Sequence, residues 1–229
     1  MNQILNIQKT VLIFFLTLCL SLHAQKLSVN EGLSANSTYS LLAEFLAIDT
    51  LRYQNTSLAQ GWLEDYYPSG ELKHKGFYEN GKLLLYKNYF VSGICSQALT
   101  SSDPLNHCIE TFYPNGFLNE QKIYFNSQLK KCSEYFENGC VKSKTEFDRE
   151  NKLIIYKKVW YSNGLLKSEM KLTDYLTKTY SEKNYYDNGL LREEGNLLIS
   201  LDNKSYKKNG VWNTYDRTGR GLKTLTFNQ

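Results

Sequence analysis

The chain repeats one short phrase: an aromatic residue, often a second one, one or two polar residues, then Asn-Gly or Ser-Gly. It reads YYPSG to Gly70, FYENG to Gly81, YFVSG to Gly93 and FYPNG to Gly116. It returns as YFENG to Gly139, WYSNG to Gly164 and YYDNG to Gly189. Weaker copies are YFNSQ around Ser127, FDREN around Asn151 and YDRTG at Gly219. From Gly70 to Gly189 successive anchors fall 11 to 13 residues apart, with two gaps of 23 and 25 (93 to 116, 164 to 189) in which one anchor has decayed. That unit holds one strand and one turn and is too short for a helical repeat.

Each residue type in the phrase has a physical reason to be there. Asn-Gly tolerates the positive φ of a tight hairpin turn, and the aromatics favour extended backbone on a pleated surface. Between turns the pattern has period two. Val141, Ser143, Thr145 and Phe147 alternate with Lys142, Lys144, Glu146 and Asp148. Neighbouring strands then pair in chain order, so the expected fold is all-β, an elongated antiparallel meander of hairpins. Apolar residues on both faces at Leu83–Phe90 and Leu153–Trp160 predict that the sheet curls or is covered there. Helical spacing of Leu41, Leu42, Phe45 and Leu46 predicts a short N-terminal helix over Thr38–Ala47, capping one edge.

The N-terminus reads as an export signal. Lys9 precedes the apolar run Val11–Leu20, and small Ala24 follows. The run is shorter than a membrane span. Cleavage after Ala24 leaves Gln25 first, no membrane span and a net charge of +3 rather than +4. The expected organisation is a signal peptide over 1–24, a cap segment over 25–60 and a hairpin-repeat domain over 61–229. The protein is then periplasmic, cell-surface or secreted. Both charge signs are interspersed, so nucleic acid is not an expected partner.

Four cysteines follow the signal: Cys95, Cys108, Cys132 and Cys140. An even count in an exported chain suggests disulfides. Cys95 and Cys108 flank the turn-rich segment SQALTSSDPLNH, where a bridge would close a loop that interrupts the repeat. Around the 138–139 turn, Cys132 faces Thr145 and Cys140 faces Glu137, so those two thiols do not meet.

Gly210-Val-Trp-Asn-Thr-Tyr-Asp-Arg-Thr-Gly219 resembles the G-x-W-x-x-Y-x-x-x-G core of the bacterial variant of MORN repeats. Gly61-Trp-Leu-Glu-Asp-Tyr-Tyr-Pro-Ser-Gly70 is similar, with one residue more after Trp62. The Y-x-N-G-x-L steps at Tyr78–Leu83, Tyr161–Leu166 and Tyr186–Leu191 match the same repeat. The resemblance covers about 61–227 and implies a β-hairpin repeat sheet. Many such chains are named antitoxin components, which implies a partner-binding role.

Catalytic patterns are not evident. His74 lies between Lys73 and Lys75 on a strand and reads as solvated; His107 sits beside Cys108. Ser168-Glu-Met-Lys171 fits S-x-x-K, but strand alternation puts Ser168 and Lys171 on opposite faces. Neither metal nor cofactor is expected, and the chain reads as no enzyme. The binding candidates are Tyr66, Tyr67, Tyr89, Phe112, Tyr113, Tyr185 and Tyr186, with the 95–108 loop as a source of specificity. The expected function is an exported, non-catalytic repeat scaffold for a protein or cell-envelope partner, or alternatively an antitoxin-like or immunity protein.

Overall fold

The computed structural model describes residues 51–103, 105–150, 153–200 and 205–228. The expected signal peptide and the helix over 38–47 lie outside them. Among the described residues every regular element is a strand: β1 (Tyr53–Gln54), β2 (Ser57–Leu58), β3 (Gly61–Tyr66), β4 (Leu72–Glu79), β5 (Lys82–Tyr89), β6 (Cys95–Asp103), β7 (Asn106–Phe112) and β8 (Leu118–Phe125). There follow β9 (Gln128–Tyr135), β10 (Val141–Phe147), β11 (Ile154–Trp160), β12 (Leu166–Asp174), β13 (Thr179–Tyr185), β14 (Leu191–Ile199), β15 (Tyr206–Tyr215) and β16 (Gly221–Phe227). Strands β3 to β16 form one 14-stranded sheet in which neighbours in sequence are neighbours in space, all antiparallel. β1 and β2 make a separate hairpin, hydrogen-bonded to the Gly81 turn through Arg52 N to Gly81 O (2.8 Å) and Gly81 N to Ala59 O (2.9 Å).

The two wide anchor gaps each contain a hairpin, β6–β7 and β12–β13, as the spacing requires. The segment between Cys95 and Cys108 is therefore a continuation of the repeat, not a loop that breaks it. Gln97 pairs with Thr111 and Thr100 with Cys108, which leaves the two cysteines five positions apart along the ladder. Five positions are roughly 17 Å at about 3.4 Å per residue. A disulfide needs Cα atoms within about 7 Å. The expected Cys95–Cys108 bridge is corrected: neither is in a disulfide, nor are Cys132 and Cys140. Cys132 does pair with Thr145. Cys140 lies opposite Phe136, whose N–H donates to its carbonyl at 2.8 Å, rather than opposite Glu137.

Turns at the two ends of the strands differ. Asn80-Gly81 is a two-residue turn with positive φ on both residues, 50° and 75°. At Gly70, Gly93, Gly116, Gly139, Gly164, Gly189 and Gly219 only the glycine has positive φ. There the glycine N–H bonds back three residues, and the N–H of that earlier residue bonds to the carbonyl just after the glycine. Gly164 N to Tyr161 O (3.0 Å) and Tyr161 N to Leu165 O (2.9 Å) show the pattern. This is the three-residue hairpin corner, a type I turn followed by a left-handed glycine. The preceding Asn is thus chosen for its side chain, not for left-handed backbone.

A register shift follows every such corner, for instance between Val141 and Ser143 and between Val159 and Trp160. The shift places Val141 opposite Tyr135 and Leu166 opposite Trp160. Val141 therefore leaves the face of Ser143 and Thr145 on which simple alternation sets it. Burial concentrates near the two ends of the sheet. Ala59, Leu63 and Tyr78 pack with Leu83 at one end; Met170, Tyr180, Leu197 and Trp212 pack at the other. The residues of β5 and β11 with apolar side chains on both faces are half-buried.

Candidate functional site

The register sorts the paired aromatics onto faces. Glu64 pairs with Lys75, Lys75 with Lys87, Lys158 with Glu169, Glu169 with Lys183, and Lys183 with Glu194, so these side chains share one face. Two residues beyond that row stand Tyr66, Tyr89, Phe112, Tyr135, Trp160, Tyr185 and Tyr215, one per hairpin and all on the same face. Side-chain bonds agree with the assignment: Tyr66 donates to Glu64 at 2.6 Å, Tyr185 to Glu169 at 2.9 Å and Tyr215 to Glu194 at 2.9 Å. Aliphatic side chains fill the gaps, since Leu72, Leu118, Val141, Leu166 and Leu191 lie opposite Tyr66, Phe112, Tyr135, Trp160 and Tyr185.

The result is a strip of rings about 9.6 Å apart, two strand spacings, along one face. Tyr66 is 55% exposed and the other rings half-buried. Trp62 joins the strip at one end, 55% exposed, edge-on to Phe77 at 5.4 Å with Lys75 Nζ 5.8 Å from its ring centre. Burial, and then the bond to Glu169, push the Tyr185 hydroxyl up to about 12. These phenols remain neutral donors.

The seven aromatics singled out from the sequence separate into two sets. Tyr66, Tyr89, Phe112 and Tyr185 lie in the strip. Tyr67, Tyr113 and Tyr186 sit in the corners, where each hydroxyl donates to a carbonyl of the next corner: Tyr67 to Tyr89 (2.6 Å), Tyr113 to Tyr135 (2.9 Å) and Tyr186 to Tyr215 (2.9 Å). Tyr161 does the same to Tyr185 at 2.8 Å. The second aromatic of the dipeptide is therefore a staple between units. Tyr135, Trp160 and Tyr215 belong to the strip; their place as first aromatic of YF, WY and YD was the signal for them.

The opposite face carries polar chemistry that strand alternation alone does not reveal. His74, read as solvated, is 2% exposed. It points away from Lys75, and Arg52, Asp65, Tyr78 and Asn88 close over it. Arg52 grips Asp65 with two bonds (2.9 and 2.6 Å) and reaches Tyr78 Oη at 3.0 Å. His74 Nε2 lies 3.0 Å from the same Oη, and Nδ1 2.6 Å from Asn88 Oδ1. Burial pushes the imidazole below its ordinary 6.5, against the opposing pull of Asn88 and Asp65. The Arg52 guanidinium ends, the Asp65 carboxylate, the Tyr78 hydroxyl and the His74 ring nitrogens all meet protein partners, so the chain of contacts acts as a buried brace. His107 stacks on Tyr124 at 4.5 Å. Ser168 and Lys171 lie on opposite faces, as alternation requires. Among the described residues no cluster of His, Cys, Asp and Glu has the form of a metal site.

No family model matches the chain, and no curated protein matches it. Among the solved structures that resemble it in part are two of bacterial origin. One is a TarM variant of S. aureus in complex with fondaparinux, α-GlcNAc-glycerol and UDP, 14% identical over 65% of this chain and 21% of that one, with a TM-score of 0.20. The other is accessory secretory protein 1, 2 and 3 of Streptococcus pneumoniae, 17% identical over 62% of this chain and 24% of that one, TM-score 0.16. The chain thus spans about a quarter or less of either. TarM is a glycosyltransferase, and the expectation that the chain is no enzyme is not carried forward. At this TM-score the match assigns no activity in exchange.

Proposed function

We propose that the chain is an exported repeat scaffold of the MORN-variant kind that binds a protein or cell-envelope partner on its aromatic strip. The observation that carries this reading is the row Tyr66, Tyr89, Phe112, Tyr135, Trp160, Tyr185 and Tyr215. Fourteen strands present one ring per hairpin on one face, and each ring keeps part of its surface open to solvent. Partly exposed rings flanked by carboxylates and ammonium groups are the composition of a recognition surface, since rigid aromatics supply contact area at low entropic cost. Tyr67, Tyr113 and Tyr186 are left out of it because their hydroxyls are committed to neighbouring corners.

The test uses the full chain, expressed with its N-terminus and recovered from the envelope and culture fractions. Affinity capture is compared between wild type and a variant carrying Tyr66→Ser, Tyr89→Ser and Tyr185→Ser. The reading expects an exported chain with a stoichiometric partner that the variant loses while keeping its circular dichroism. A partner held equally by both proteins overturns the strip as the site. A captured toxin that the chain neutralises replaces the scaffold by the antitoxin reading.

A further inference from the structure

The 14-stranded sheet ends at β3 on one side and at β16 on the other. Among the described elements each pairs along one edge only, β3 with β4 and β16 with β15. The β1–β2 hairpin bonds instead to the Gly81 turn between β4 and β5. A sheet edge carries a row of backbone N–H and C=O groups that can template another strand, and edges kept single are blunted by proline, charge or bulges. β16 has no proline, and Lys223 is its only charged residue. Gly221 to Thr224 are exposed, Leu222 at 63%.

The two edges fit each other. Six pairings join one corner hairpin to the next, and all six share one register. The residue just before a strip ring meets the residue two beyond the one paired with the previous ring, as Asn88 meets His74, Glu134 meets Glu120 and Asn184 meets Ser168. Gly221 pairs with Tyr215 as Leu72 pairs with Tyr66, so β16 enters this scheme in phase with β4. Carried from β16 of one copy to β3 of another, the register sets Lys223 opposite Asp65, Thr224 opposite Glu64, Leu225 opposite Leu63 and Thr226 opposite Trp62. We propose that the chain assembles head to tail with copies of itself, β16 of one pairing antiparallel with β3 of the next. Lys223 then meets the carboxylate that Arg52 holds, and Leu225 extends the cluster of Ala59, Leu63 and Tyr78. Unlike charges and apolar pairs set directly opposite each other stabilise antiparallel strands, whereas like charges oppose pairing. The strip continues across the junction, since Tyr66 of the second copy follows Tyr215 two strands on. Symmetric pairings fit less well. Two β16 strands centred on Thr224 set Lys223 against Leu225, and two β3 strands centred on Glu64 set that carboxylate against its own copy. A head-to-tail contact is heterologous, so copies add in a row unless the rotation closes a ring. This assembly stands apart from whatever the strip binds.

The test is sedimentation velocity of the full chain over a range of concentrations. The expected mass rises with concentration and passes the dimer. Lys223→Glu sets two carboxylates opposite each other and is expected to raise the concentration of half-association by roughly 5- to 30-fold, with unchanged circular dichroism. Cross-linking reads the register. Glu64→Cys and Thr224→Cys chains, mixed and oxidised, should yield a linked 64–224 peptide in mass spectrometry, with no 224–224 link from Thr224→Cys alone. A chain that stays monomeric at every concentration, its edges covered by residues 1–50 or left single, overturns the proposal. So does association that Lys223→Glu leaves unchanged, or a 224–224 link in place of the 64–224 one.

Discussion

Tyr161 donates its hydroxyl to the backbone carbonyl of Tyr185, 24 residues later, at 2.8 Å. That bond joins one hairpin corner to the next, and its counterparts leave from Tyr67, Tyr113 and Tyr186. Phenylalanine takes the donor's place at Phe90 and Phe136, so the ladder is interrupted between Gly93 and Gly116 and between Gly139 and Gly164. The corner edge thus consists of three stapled blocks.

Removing one staple has a measurable cost. Tyr161→Phe leaves a carbonyl at the sheet margin without its donor and is expected to destabilise by about 1 kcal/mol. Phe136→Tyr is expected to stabilise by about 0.5–1 kcal/mol by extending the ladder across an interruption. Urea unfolding midpoints check both, at constant slope.

Gly195 has a different role from the corner glycines. A Cβ there would lie 2.4 Å from the Trp212 ring, and Trp212 is wholly buried. Gly195→Ala must push the indole off the strand, with an expected loss of about 1–3 kcal/mol and a red-shifted, brighter Trp emission. An unchanged midpoint and spectrum would count against this packing.

Stability depends on pH through His74. Its folded pKa lies below the ordinary 6.5 because burial disfavours the charged ring. As pH falls through 6.5 the unfolded chain takes up a proton that the folded chain refuses. The contribution of His74 is therefore present above about pH 6.5 and declines below it. Thermal unfolding from neutral to mildly acidic pH checks this, and His74→Gln should flatten the His-dependent part of the slope.

The thiols should separate by access. Cys140 is exposed, whereas burial, and then the charge of Glu120, push the Cys132 thiol up to about 11. Maleimide labelling at neutral pH, read by peptide mapping, is expected to modify Cys140 first and Cys132 slowly. Digestion without reductant should yield no cross-linked Cys95–Cys108 peptide.

Turn spacing, strand order and the two concealed hairpins were all legible in the sequence, because a turn every dozen residues leaves an antiparallel chain little choice of neighbour. The face taken by Trp62 and Trp212 was legible only in part. Trp62 precedes Tyr66 by four residues and shares its face. Trp212 precedes Tyr215 by three, so it turns to the other face and is buried over Gly195. One residue inverts the outcome. His74 was misread because its surroundings come from Arg52 and Asn88, 22 and 14 residues away, and local charge says nothing of either. The corner staples were hidden for a similar reason. A tyrosine hydroxyl acquires its meaning from a carbonyl some two dozen positions later.

A meander that never closes on itself has no obligatory strand count. Each hairpin touches only its predecessor and successor, so gene duplication or loss of one such module would lengthen or shorten the ribbon by about 9.6 Å and leave the remaining partners in place. Reach, in this architecture, is an inherited dimension that evolution can adjust in steps without redesigning a fold.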